Sequence, residues 1–194
     1  MVNYKEIEDK LKSMLKPSRF KHVLGVVEAG VKINEDLKLG LDQDKVKLGC
    51  YLHDCAKGNE DLYFKKYASK YGLTSDLLEP RQLLHTKLAP IVAKEEYKVF
   101  DQEILDSLRW HTTGKADMTS LEKVVFLADA VERGRDYPNV DYFRKLAKKD
   151  LDKACLEFMD HTIKYLIDQG QIIEIETVEA RNYLRGAING KREI

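Results

Sequence analysis

Histidine is scarce in this chain, with five among 194 residues: His22, His53, His85, His111 and His161. Four of them stand in surroundings that suit metal chemistry. His53 is followed directly by Asp54 in YLHDCAK, and neutral imidazole and carboxylate are the usual protein ligands for borderline or hard transition-metal ions. Lys57 follows Asp54 by three residues, so its ammonium can lie beside the same site without being a ligand. His22 shares a helical face with Arg19. His85 lies in RQLLHTKLAP, and His111 closes LRWHTTG before a glycine-containing turn. Asp129 is the one aspartate inside the apolar run VVFLADAVE. A buried acid is costly without a partner, and either a metal or Arg133, four residues on, would supply one. His161, between Asp160 and Thr162, reads as an ordinary surface or hydrogen-bonded histidine.

Each of these residues alone is a weak signal. Their order, His…His-Asp…His…His…Asp, widely spaced and helical at each step, is a strong one.

The positioning elements are helices. Apolar residues recur at helical spacing over 4–15, and Ser18 after Pro17 can cap a helix to about 38. A third helix starts near Asp42 or Asp44 and ends near Gly58-Asn59, carrying the His-Asp pair. Adjacent helical residues point about 100° apart, so both reach one site only on an inward ridge or at a helix end. Further helices are expected over 60–71, over 81–97 with Pro90 starting or kinking one, and after the Asp101 cap. Another follows the capping box Thr119-x-x-Glu122, and a long one spans 150–169 up to Gly170. Only 171–177, QIIEIET, alternates like a strand. The expected architecture is one all-α domain, 1–194, of about seven to nine helices, with an extension at about 171–194.

Lys+Arg and Asp+Glu are equal at 33 each. A neutral chain has no global basic footprint for nucleic acid, so an anionic ligand must be met by a local cluster. No run reaches the length of a membrane span, and the charged start lacks a signal-peptide core. Cys50, Cys55 and Cys155, odd in number, read as reduced, inert thiols of a cytoplasmic protein.

The order His22, His53-Asp54, Asp129 resembles the HD-domain superfamily of helical metal-dependent phosphohydrolases. His85 and His111 fall where dinuclear members carry two extra ligands. The stretches RFKHVLGV, LHDCAK, LLHTKLAP, LRWHTTG and FLADAVERGRDYPNV resemble more closely the bacterial symmetrical diadenosine-tetraphosphatase (YqeK) family, over about 17–160. Arg133 stands where that pattern would place proline. The resemblance implies a single HD-domain bundle with a dinuclear site in its interior cleft. Asp54 would bridge two divalent ions; His22, His53 and Asp129 would hold one and His85 and His111 the other. Iron is implied, while manganese, cobalt, nickel and zinc also suit such ligands. The implied reaction is hydrolysis of diadenosine tetraphosphate to two ADP by a metal-activated hydroxide, with Asp54 and Lys57 as catalytic residues. Arg19, Lys57, Thr112, Thr113, Arg133 and Arg135 are candidate phosphate contacts; Asp136 and Tyr137 stand nearby without an assigned role. The expected partner is a small nucleotide, with no nucleic acid and no membrane, and a homodimer is left open. Two other readings keep parts of this pattern: an HD phosphohydrolase for another nucleotide or a cyclic dinucleotide, and a non-catalytic nucleotide-binding helical module.

Overall fold

The computed structural model describes residues 2–190, and among them the chain forms ten α-helices and no strand. They are α1 (Tyr4–Met14), α2 (Pro17–Asp36), α3 (Gln43–Leu52), α4 (Glu60–Tyr71), α5 (Leu84–Tyr97), α6 (Gln102–Trp110), α7 (Ser120–Val131), α8 (Val140–Leu146), α9 (Leu151–Asp168) and α10 (Ile175–Gly190). The most apolar of these, α7, lies at the centre. Leu121, Val124, Val125, Leu127 and Ala128 are all buried, as expected of a helix that is hydrophobic nearly all round. It packs against α2, α3, α6, α8 and α9, so it holds together every helix that flanks the site except α5, which packs on α6.

Local signals set most of the boundaries. Asp42 caps α3 by accepting from the Asp44 and Lys45 amides, Asp101 caps α6 in the same way, and the Thr119–Glu122 capping box is complete. Gly170 ends α9 with a positive φ of 61°. Three expectations are corrected, and one of the two alternatives for Pro90 is removed. Ser18 is not a cap: α2 starts at Pro17, whose missing N–H costs nothing in the first turn, with Lys16 before it. The third helix stops at Leu52, and 53–58 tightens into turns with i to i+3 bonds, Cys55 N–H to Leu52 O (3.0 Å) and Lys57 N–H to Asp54 O (2.9 Å). Pro90 starts no new helix: α5 continues through it, and burial of Leu84, Leu88 and Val92 around it offsets the lost helical hydrogen bond. The alternating stretch 171–177 is no strand. Residues 171–174 are irregular, α10 begins at Ile175, and Ile172 and Ile175 stay exposed, because a single alternating segment has no neighbour to pair with.

The expected C-terminal extension docks on the bundle through α10, which lies on α9 and buries Ala180 and Leu184; its last positions, 191–194, lie outside the described residues. All three cysteines are free and buried, and burial pushes their thiols well above the ordinary range.

The crossing of α2 over α3 depends on Gly30, where an added Cβ would overlap the Cys50 sulfur. We expect Gly30→Ala to cost about 1–3 kcal/mol by overpacking, and Cys50→Ala in the same chain to restore most of it; urea denaturation of the single and double variants measures both.

Candidate metal centre

Five elements deliver six side chains to one place. His22 comes from α2, His53 and Asp54 from the end of α3, His85 from the first turn of α5, His111 from the C-cap of α6, and Asp129 from α7. His53 and Asp54 both point inward because the helix ends at Leu52, just before them, and the tighter turn redirects the second. Asp54 sits at the centre. Its Oδ2 lies 3.4 Å from His53 Nε2 and 3.9 Å from His22 Nε2. Its Oδ1 lies 3.5 Å from His85 Nε2 and 3.9 Å from His111 Nε2. On the first side, His22 Nε2 is also 3.1 Å from Asp129 Oδ1 and 3.3 Å from His53 Nε2. The ligand atoms of His22, His53 and Asp129 cluster tightly enough for one ion, as do those of His53, Asp54 and His111.

The outer hydrogen bonds decide what these rings present. His53 Nδ1 lies 2.8 Å from the Cys50 carbonyl and His111 Nδ1 2.8 Å from the Leu108 carbonyl. A carbonyl only accepts, so Nδ1 carries the proton and the neutral ring turns an Nε2 lone pair toward Asp54. His22 Nδ1 meets the Glu132 carboxylate at 3.2 Å with the same consequence. Lone pairs and carboxylate oxygens thus converge in a largely buried space, an arrangement that fits divalent cations.

The electrostatics agree at His85 and His111. Burial and neighbouring His111 push His85 down to about 3, and burial and His53 push His111 down to about 4, so both stay neutral. Burial lowers His53 too, but adjacent Asp54 outweighs it and leaves that ring above its ordinary value. Burial raises Asp54, yet the charge and hydrogen bond of His53, with His111 and His85, hold its carboxyl well below the usual range. Asp129 is held low against its own burial by His22 and Arg135.

The candidate phosphate contacts separate into those near the cluster and those away from it. Arg19 Nη1 is 2.8 Å from Asp54 Oδ2, and Arg135 pairs with the Asp129 carboxylate while its Nε donates to the Asp129 carbonyl (2.8 Å). Lys57 Nζ lies 2.9 Å from His85 Nδ1, and burial lowers its pKa. Arg133 points elsewhere: it is exposed and pairs with Glu28 at 3.2 Å. The Thr113 hydroxyl is buried and donates to the Gly114 carbonyl, whereas Thr112 is exposed. His161 takes no part in the cluster.

Two residues went unnoticed in the sequence. Glu132, only 3% exposed, orients His22 and accepts from the Gly134 amide. Its place exists because Gly25 has no side chain; a Cβ there would overlap the Glu132 carboxylate. Arg144 donates to the carbonyls of Val131, Glu132 and Arg135 and so shapes the turn after α7. Glu132 has φ −53° and ψ 155°, the extended backbone that a following proline would impose, so the turn keeps that form with Arg133. Glu132 directly precedes Arg133 in the VERGR stretch, but only the packing distinguishes it from a surface acid.

Residues 19–134 match the family model described as HD domain. The chain belongs to the HD domain family. The matched span contains all six clustered side chains of this HD domain. Over 184 residues the chain is 31% identical to the symmetrical bis(5'-nucleosyl)-tetraphosphatase of Bacillus subtilis, covering 94% of this chain and 98% of that one. It is 32% identical to the protein of the same name from Staphylococcus aureus over 185 residues, covering 94% of each. A crystal structure from Clostridium acetobutylicum, described as a predicted HD superfamily hydrolase involved in NAD metabolism, superposes with a TM-score of 0.88 at 35% identity, covering 96% of this chain and 99% of that one. This HD domain is therefore a hydrolase-family member with a cluster able to bind metal.

Asp54→Ala is expected to remove at least one equivalent of bound metal and to abolish turnover while the helical circular dichroism is kept; metal analysis of the purified variant decides the first point. Glu132→Ala and Gly25→Ala should converge on one phenotype, a metal affinity about 10–100-fold weaker, because one deletes the carboxylate behind His22 and the other displaces it. Titration with manganese(II) compares them with the parent protein.

Proposed function

We propose that this HD domain hydrolyses diadenosine tetraphosphate symmetrically to two ADP, using two divalent ions. The observation that carries the two-ion reading is the split of Asp54, one oxygen facing His22 and His53 and the other facing His85 and His111. His22, His53 and Asp129 would hold one ion, His85 and His111 the other, with Asp54 between them. Imidazole and carboxylate donors suit iron, and equally manganese, cobalt, nickel or zinc. When bound, such ions acidify a water and neutralise charge developing on phosphoryl oxygens. Support for the substrate comes from the names of the two bacterial relatives, which this chain matches along nearly its full length.

The chain's own residues supply positioning. A ring that gives its Nε2 lone pair to a metal keeps the proton on Nδ1 and cannot accept from an ammonium. His85 then no longer engages Lys57, which is left to meet a phosphoryl oxygen. Arg19 and Arg135, beside the two carboxylates, offer forked donors to a phosphate chain. Symmetrical cleavage places attack at the phosphorus second from one adenosine. The leaving group is then ADP itself, a stable anion, so positioning and charge neutralisation matter more than a dedicated general acid.

Anaerobic incubation of the iron(II)- or manganese(II)-loaded protein with diadenosine tetraphosphate, followed by chromatography, should yield ADP alone. AMP with ATP would reject symmetrical cleavage, and an intact substrate would reject the reaction. In the same assay Lys57→Ala should keep its metal and lose turnover by about 10²-fold or more; loss of metal instead would make Lys57 a support for His85.

A further inference from the structure

A cavity of about 250 Å³ lies behind the metal cluster, between α2 and the end of α8. Gly25, one turn after His22 on α2, lines it, and so does Val131, directly before Glu132. The Glu132 carboxylate that meets His22 packs against Gly25. The cavity and the cluster therefore adjoin across this one acid.

Floor and rim differ in chemistry. Ile33, Val131 and Ala147 are buried beneath the cavity, and Ala29 completes an apolar floor. The rim carries four basic side chains, Lys32, Arg133, Arg144 and Lys148, against two acidic ones, Glu28 and Asp36. Lys32 pairs with Asp36 at 3.2 Å and Arg133 with Glu28 at 3.2 Å. The Arg133–Glu28 pair is solvent-exposed on both sides, so it is weak and opens readily to a better acceptor. Lys148 makes no ion pair among the described residues. Arg144 gives Nη1 to Asp141, whose carboxylate stands out in solvent, and its other donors to the neutral carbonyls of Val131, Glu132 and Arg135. Even with Asp141 counted, the rim keeps an excess of positive charge. Arg133, a candidate phosphate contact in the sequence, thus stands at this rim and not at the cluster.

An apolar floor under a basic rim suits a small acid. Its carboxylate meets guanidinium and ammonium groups while its hydrocarbon body covers the floor. The volume falls below the ~300 Å³ of a typical whole-ligand pocket, which favours a short aliphatic or aromatic acid over a nucleotide. We propose that this cavity is a second ligand site, for a small amphipathic carboxylate, and that its occupancy acts on the metal cluster. The site is independent of which phosphoanhydride the cluster hydrolyses. A carboxylate is a charged acceptor and competes with the Glu132 carbonyl for Arg144. Release of that carbonyl loosens the turn that holds Glu132 behind His22, and the support of the metal-directed ring weakens. By linkage, acid and metal lower each other's affinity by one common factor.

Calorimetry on the full chain, with and without manganese(II), tests the site with octanoate as the probe. Octylamine has the same body with the opposite charge, and acetate has the charge without the body. Octanoate should bind more tightly than either. Arg133→Gln and Lys148→Gln, both at the surface, should each weaken octanoate by about fivefold. Ala29→Leu, which fills the floor, should abolish its binding, with circular dichroism checking that each variant keeps its helices. Saturating octanoate should lower manganese(II) affinity by about fivefold. Octanoate affinity unchanged in all three variants would overturn the site, as would octylamine binding equally well. A rise in manganese(II) affinity, the mark of a carboxylate captured by the metal itself, or no change in it, would overturn the coupling through Arg144.

Discussion

The structure is organised around a convergence that is unfavourable without cations. Three imidazoles have their outer nitrogens committed to acceptors, the Cys50 and Leu108 carbonyls and the Glu132 carboxylate. Their inner lone pairs are therefore turned toward two carboxylates in a space where Asp54 is 3% exposed. Arg19 and Arg135 offset part of that negative charge from the rim. Such an assembly of buried acceptors costs folding free energy that a bound cation would return. The helices must therefore be rigid enough to hold the donors together, and α7 with its apolar surroundings meets that need.

Small residues let the donors come close. Gly30 admits the Cys50 sulfur, bringing α3 and its His-Asp end against α2 and its His22. Gly25, on the same helix, admits the carboxylate that orients His22. Gly114, with φ 68° and Met159 packed against it, turns the chain sharply after His111. Arg144 secures the turn after α7, from which Glu132 reaches His22 and Arg135 reaches Asp129.

Much of this was legible in the linear chain. The apolar spacing and the caps at Asp42, Asp101 and Thr119 marked the helices because they are local interactions, complete within a few residues. The six clustered side chains were legible as an ordered set because they are chemically rare types, and an HD-type bundle was legible from their order. Where expectation failed, a nonlocal term had the larger energy. The alternating 171–177 lacks a strand to pair with, and the end of α3 tightens where His53 and Asp54 turn inward together.

What the sequence by itself determined is the helical class, the family and the identity of the six residues that cluster, since periodicity and residue chemistry are properties of the chain alone. What only the tertiary structure decided is how those residues face one another. That Asp54 divides its two oxygens between two pairs of histidines, that buried Glu132 rather than exposed Arg133 serves the site, and that Tyr137 stacks on His161 beside Arg135 all depend on distances between side chains remote in sequence. Helix packing sets those distances, and no local rule encodes them.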